Sequence, residues 1–203
     1  MRLLVVGAGG HAKVVVDAAM AAGHTILGIV GSPGDPPEVL GHPVRQGTGV
    51  IDIDGFIVAI GDNRTRERIF NEYCAAGLLP ASVVHPSAVI GRDVEIADGA
   101  FVAPGVIINT GARIGANAIL NTGCRIDHDV VIGAHAHVAP GATLCGASRL
   151  GTGSLLGVGA SVVPGAVIGA GAIVGAGAAV TGDLPDGMVC VGVPARPTHR
   201  VEG

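Results

Sequence analysis

Two histidines stand in the least repetitive part of an otherwise monotonous chain. The tract Asn121-Thr-Gly-Cys-Arg-Ile-Asp127-His128-Asp129 is followed eight residues on by His137-Val-Ala-Pro-Gly-Ala-Thr-Leu-Cys-Gly146. An imidazole titrates near neutral pH, so it is the side chain suited to taking a proton from an attacking amine or hydroxyl. Asp129, adjacent to His128, is placed to hold or polarise that ring. Such a pair serves acyl transfer; a solvated surface histidine is the plain alternative.

The element that must position this tract is a repeat of six. Every sixth residue from Val84 to Val180 is aliphatic, without exception, and the residue four further on is small or Val-sized, from Ala88 and Val94 through Cys124 to Ala178. Glycine favours the place after the large residue (Gly91, Gly115, Gly133) and the place before the small one. A period of six fits neither a helix nor an isolated strand. It predicts a solenoid of short strands with permissive corners, a parallel β-helix.

If three hexads close one coil, residues 18 apart stack at the spacing of neighbouring strands, roughly 4.8 Å. Gly146 then lies one coil beyond His128 on the same edge, where its N–H can face the oxyanion of a tetrahedral intermediate. His137 is half a coil from His128 and faces away from it. Within one chain the two cannot meet; across a subunit boundary they can.

Ahead of the repeat, Arg2 to Val6, Thr25 to Val30 and Phe56 to Ile60 read as strands. Val14 to Ala22 and Thr65 to Ala76 read as helices, stopped by Gly23 and Gly77. This is a small Rossmann-like βαβ unit, and Pro33 to Pro43 reads as a surface loop. Gly7-x-Gly9-x-x-Ala12 is a relaxed phosphate-binding fingerprint, which serves either as a structural tight turn or as a seat for a nucleotide-type ligand. An NAD site also wants an acidic residue at the end of the second strand; Val30-Gly31-Ser32 has none.

The composition agrees with a thin prism: aromatics are 2% of the 203 residues and glycines number 35. A net charge of −4 leaves no basic footprint for nucleic acid. The N-terminal apolar run is too short for a signal peptide, and nothing approaches 18 uninterrupted apolar residues, so a cytoplasmic protein with no membrane segment is expected. The four cysteines lack C-x-x-C spacing and read as reduced structural thiols.

The segments Gly7-Ala-Gly-Gly-His11-Ala-Lys-Val-Val-Val-Asp17 and Ala59-Ile-Gly61-Asp-Asn63-Arg-Thr-Arg66, with Val84-His85-Pro86 opening the hexads, resemble the sialic acid O-acetyltransferase family. That family includes nucleotide-amino-sugar N-acetyltransferases of the PglD and PerB kind. The resemblance implies a left-handed hexapeptide-repeat β-helix over 81–203, with a C-terminal cap, behind a nucleotide-sugar domain over 1–80. It implies acceptor contacts from Gly7, Gly9, Gly10 and His11, bordered by Gly61, Asn63 and Arg66. It also implies a homotrimer with acetyl-CoA between prisms, touched by His137, Gly146, Pro194, Ala195 and Arg196, and catalysis by His128 with Asp129 and the Gly146 N–H. Many relatives carry an acidic pair where this chain has Gly31 and Ser32, and His-Glu where it has His-Asp.

The expected activity is therefore acetyl-CoA-dependent N-acetylation of a nucleotide-linked amino sugar, without a metal. O-acetylation of sialic acid or another sugar is the alternative within the class, and a non-catalytic trimeric binding protein the alternative outside it. A zinc hydratase on the same solenoid needs three histidines; His128, His135 and His137 do not match that spacing.

Overall fold

A computed structural model describes residues 1–47 and 52–202. The N-terminal sheet has the order β3-β4-β2-β1-β5. Its strands are β1 (Arg2–Val6), β2 (Thr25–Val30), β3 (Glu38–Val39), β4 (His42–Arg45) and β5 (Gly55–Val58). β1 is the apolar centre and pairs in parallel with β2 and β5. Helix α1 (Gly10–Ala21) buries Ala12, Val15, Val16 and Ala19, a stripe at i, i+3, i+4 and i+7. It starts four residues earlier than its aliphatic pattern suggests, so the glycine turn feeds straight into the helix N-terminus.

Helix α2 (Asn63–Ala75) is capped by Asp62, whose carboxylate accepts from Thr65 N at 2.8 Å. It buries only Arg66 and Phe70. The expected loop from Pro33 to Pro43 holds part of a hairpin instead. β3 and β4 pair antiparallel around Leu40 and Gly41, both at positive φ (48° and 79°), the geometry of a tight two-residue turn. Leu40 is not a turn-forming residue type, which is why the sequence hid it.

From β6 (Val83–Val84), β7 (Val89–Ile90) and β8 (Glu95–Ile96), two-residue strands recur every six residues to β22 (Ala179–Val180). From β6 to β19 (Ser161–Val162) each pairs in parallel with the strand 18 residues on; Ile108 faces Ile126, and Ile126 faces Leu144. Three faces result. The first carries β7 and every third strand after it, the second β8 and its series, the third β6 and its series. The large aliphatic and small registers are buried together along the prism, including Ser148 and Ser154, whose hydroxyls donate to the carbonyls of Cys145 and Gly169 at 2.6 Å. Only the open first coil is looser, with Ile90 40% exposed.

The two glycine positions have separate causes. In every hexad from Asp93 to Gly177, the residue three after the large aliphatic has positive φ and turns the corner. The glycine directly after the large aliphatic is needed because the next coil passes against it: a Cβ on Gly91 would lie 2.7 Å from Thr110 N. After β22 the chain adds β23 (Met188–Val191) beside β21 (Ile173–Val174), as expected for a cover strand. It then adds an antiparallel strand β24 (Arg196–Arg200), which the sequence pattern did not announce.

Candidate active site

Corner residues occupy three edges of the prism. The edge between the third and first faces is all glycine: Gly105, Gly123, Gly141, Gly159 and Gly177. Non-glycine corners concentrate on the other two, at Asp93, Asp129 and Ala147 on one and at Asn117 and His135 on the other. Asp, Asn and His are the non-glycine types that adopt positive φ most readily, so apart from Ala147 these corners keep the turn while presenting a polar side chain.

On the first of these edges, His128 lies between β13 (Arg125–Ile126) and β14 (Val131–Ile132). Its Nδ1 is 2.9 Å from Asp129 Oδ2. With Nδ1–H donating to that carboxylate, Nε2 keeps its lone pair free. Asp129 raises the His128 pKa, with the Asp127 charge adding to it. Asp129 finds room because the preceding corner is Gly111, where a Cβ would meet Asp129 Oδ1 at 2.7 Å.

The imidazole of His128 lies against Gly146 through its Nε2 end. A Cβ there would approach three ring atoms to 3.0 Å or less, so glycine is required for the ring to occupy this place. The Gly146 N–H donates to no backbone carbonyl among the described residues. It sits near the carboxylate of Asp127, whose pKa is lowered first by Asn109, then by the His128 N–H, and least by Gly146. The structure thus brings together His128, Asp129 and Gly146, and adds Asp127 as a clamp that accepts from Asn109 Nδ2 at 2.9 Å and His128 N at 2.8 Å.

The N-terminal domain holds a separate cleft of about 500 Å³ at the C-terminal ends of β1, β2 and β5, where open parallel sheets bind ligands. Gly7, Gly9, Gly10, His11 and Gly61 line it. At Gly7, φ is 117° and a Cβ would lie 2.8 Å from Ala59 O, whereas at Gly9 and Gly10 nothing lies within 4 Å of one. Those two face open space at the start of α1. Asp35, Arg68, Glu72 and Tyr73 also line the cleft, and the sequence reading did not single them out. Asp35 supplies an acid near the end of β2 after all: its carboxylate turns back to accept from Ser32 N at 2.7 Å.

Asn63 and Arg66 do not line this cleft. Asn63 Nδ2 donates to Gly153 O and Ser154 O on the solenoid, and Arg66 is buried between the domains on backbone carbonyls. His137, expected to face acetyl-CoA, turns its ring toward the chain's own N-terminal domain. Asn121 Nδ2 donates to its Nε2 at 3.1 Å, and its Nδ1 reaches Gly61 O at 3.3 Å.

The His137 ring lies 6.4 Å from that of His11, which stands edge-on to Phe101 at 5.5 Å. Burial drives both histidines down to about 4, helped by the Arg66 charge. His11 Nε2 is buried without a partner among the described residues. At the cap, Ala195 N donates to Ala179 O and Arg196 folds back on Ala195 O at 2.8 Å, beside a hollow of about 280 Å³ that Thr181 and Asp183 also line. Among the described residues no three His, Cys, Asp or Glu side chains converge as metal ligands, and no helix is long and apolar enough to cross a membrane.

A nucleotide-type cleft on a βαβ domain, joined to a hexad solenoid with a His-Asp pair on one edge, defines the class of hexapeptide-repeat acetyltransferases. Residues 2–73 match the PglD N-terminal domain, and residues 111–146 match the bacterial transferase hexapeptide of six repeats. The structure superposes on PerB from Caulobacter crescentus, solved with CoA and GDP-perosamine, with a TM-score of 0.92 and 40% identity over 98% of each chain. The acetyltransferase domain of PglB from Neisseria gonorrhoeae gives 0.91 and 35% over 97% of this chain and 99% of that one. GDP-perosamine N-acetyltransferase of Escherichia coli O157:H7 is 35% identical over 91 residues, 45% of this chain and 41% of that protein. The chain belongs to this family of PglD-type, hexapeptide-repeat sugar N-acetyltransferases, and its fold is the family's nucleotide-domain-plus-β-helix architecture.

Proposed function

We propose that the chain transfers the acetyl group of acetyl-CoA to the amine of a nucleotide-linked amino sugar, with GDP-perosamine the first acceptor to test. The observation that carries this is the His128 ring over Gly146, hydrogen-bonded to Asp129, in a chain alike over its whole length to a PerB structure that holds CoA and GDP-perosamine. The acceptor nitrogen attacks the thioester carbonyl while His128 Nε2 takes its proton. In this reading the Gly146 N–H turns from the Asp127 carboxylate to the resulting oxyanion, and collapse breaks the C–S bond and releases CoA. Pro194, Ala195 and Arg196 remain proposed neighbours of the nucleotide end of CoA.

The active unit in this reading is a homotrimer. The cleft sits against the third face, where β9 (Phe101–Val102) and β15 (His137–Val138) lie under the N-terminal domain. His128 lies on the opposite edge. One chain therefore cannot bring its own cleft to its own base, and a closed ring of identical copies can. A cytoplasmic location is part of this reading, and Cys124, buried with its thiol pushed up to about 12, is read as a structural thiol.

Purified protein incubated with acetyl-CoA and GDP-, UDP- or dTDP-linked amino sugars is expected to release CoA thiol and yield a base-stable acetamide. A base-labile acetyl ester would mean O-acetylation instead. Absence of thiol release with every acceptor would sink the reading, and a fully active monomer in sedimentation would sink the trimer.

A further inference from the structure

Helix α2 is docked on the solenoid through the edge whose corners are Gly99, Asn117, His135, Gly153 and Gly171, one per coil. Phe70 lies against Gly99, where a Cβ would strike its ring. Arg66 Nε donates to Asn117 O at 3.0 Å and Nη2 to His135 O at 2.7 Å. Asn63 donates to Gly153 O at 2.9 Å. Residues 63, 66 and 70 form one helical stripe, and a helix pitch of 5.4 Å nearly matches a coil spacing of about 4.8 Å. The stripe therefore follows the coils, with Arg66 spanning two of the four corners it meets.

Within that stripe Arg66 differs from its neighbours. Its guanidinium, 1% exposed, meets carbonyls from both domains: Ile60 and Gly61 at 3.2 Å on one side, Asn117, His135 and Ala136 on the other. Asn63 Oδ1 takes another N–H at 2.8 Å. Among the described residues it has no carboxylate within ion-pair distance. Gly61 is the rim of the cleft and the partner of His137; His135 and Ala136 lead directly into His137.

We propose that Arg66 is a positioning residue for acyl transfer: its planar fork sets the distance and angle between the rim of the acceptor cleft and His137. This rests on the acetyltransferase reading given above. Lysine carries the same charge but as a compact ammonium, which cannot hold carbonyls of both domains in one plane.

The test compares Arg66→Lys and Arg66→Gln with Phe70→Leu, which loosens the same helix one coil away. Measured are the thermal midpoint, kcat and KM for both substrates, and the imidazole titration of His137 by NMR. Around that ring stand Asn121, the Gly61 carbonyl, His11 and Arg66. Both Arg66 variants are expected to lower kcat by about 100-fold, the effect of misplacing a reacting group by about 1 Å. In Arg66→Lys, which keeps the charge, the His137 titration should also rise from about 4 toward ordinary histidine values as water enters; in Arg66→Gln part of the rise comes from loss of the Arg66 charge itself.

Phe70→Leu is expected to lower the thermal midpoint while leaving kcat and that titration in place. If Arg66→Gln does not fold, Arg66→Lys carries the test. Native kcat with an unmoved His137 titration in a folded Arg66 variant would overturn the proposal, as would a loss of kcat in Phe70→Leu proportional to its loss of stability. If the wild type acetylates no acceptor, the function fails separately. The His137 titration in Arg66→Lys still decides the positioning role, since a shift there supports it and no shift overturns it.

Discussion

His128 and His137 are nine residues apart on one repeat and live in opposite surroundings. His128 stands on a solvent-facing edge with two carboxylates near it, and its pKa is raised. His137 lies under the N-terminal domain beside a cation and another histidine, and burial drives it to about 4. The hexad sets His128 in the turn between β13 and β14 and His137 on the strand β15, so they point from different parts of the prism. The difference comes from what covers each face, so one imidazole is poised to exchange a proton and the other is held neutral as a fixed hydrogen-bonding group.

The sharpest way to break this contrast is His128→Ala. Removing a positioned base is expected to lower kcat by about 10²–10⁴-fold, with sedimentation and circular dichroism unchanged because the side chain lies outside the prism core. A folded variant with near-native kcat would place the base elsewhere. Next, Gly146→Ala should displace the ring without touching His128 itself. A fall in kcat of about 100-fold is expected, with KM for acetyl-CoA moving less; retention of kcat would mean that the ring's seat over Gly146 is incidental.

On the covered face the contrast predicts a stability effect. His11 and His137 bind protons less readily folded than unfolded, since both are lowered from 6.5 to about 4. Their contribution is therefore intact above pH 6.5 and is lost as pH falls toward 4. Each histidine contributes at most about 3 kcal/mol, seen as a falling thermal midpoint over that window; a flat profile would contradict the burial of both rings.

A smaller effect is expected at the cleft. Gly10→Val meets open space in the protein, so it should fold normally and raise the acceptor KM about tenfold, the equivalent of one lost 1.4 kcal/mol contact. An equal rise in the KM of acetyl-CoA would count against the division of labour between the domains. The smallest effect is Asp129→Asn. Its carboxylate raises His128, so the limb on which kcat/KM climbs with pH should move down toward 6.5, with Asp127 still acting. An upward move would reverse the assigned role.

Much of the site was readable in advance because a solenoid converts sequence separation into position. Counting 18 residues from His128 arrives at Gly146, and the ring does lie on that glycine. The same counting puts His137 on another face. The family resemblance places Asn63 and Arg66 beside the acceptor pocket, whereas in the structure both donate to backbone carbonyls of the solenoid. The α2 stripe of Asn63, Arg66 and Phe70, at i, i+3 and i+7, was the available signal that they dock the helix. Asp35 was missed because it reaches the end of β2 through a turn rather than along the strand.

The sequence alone determined the prism: an unbroken period of six leaves one way to bury a large and a small side chain together, and it places glycine where the next coil passes too close for a Cβ. It also determined the His128 edge, since neighbours there lie one coil apart. Only the tertiary structure decided which face the N-terminal domain would cover, and with it which histidine would be neutral and which would carry a raised pKa. That choice depends on a helix turn matching a coil and on a buried arginine finding carbonyls from distant segments, and no local pattern encodes contacts of 51 and 69 residues' separation.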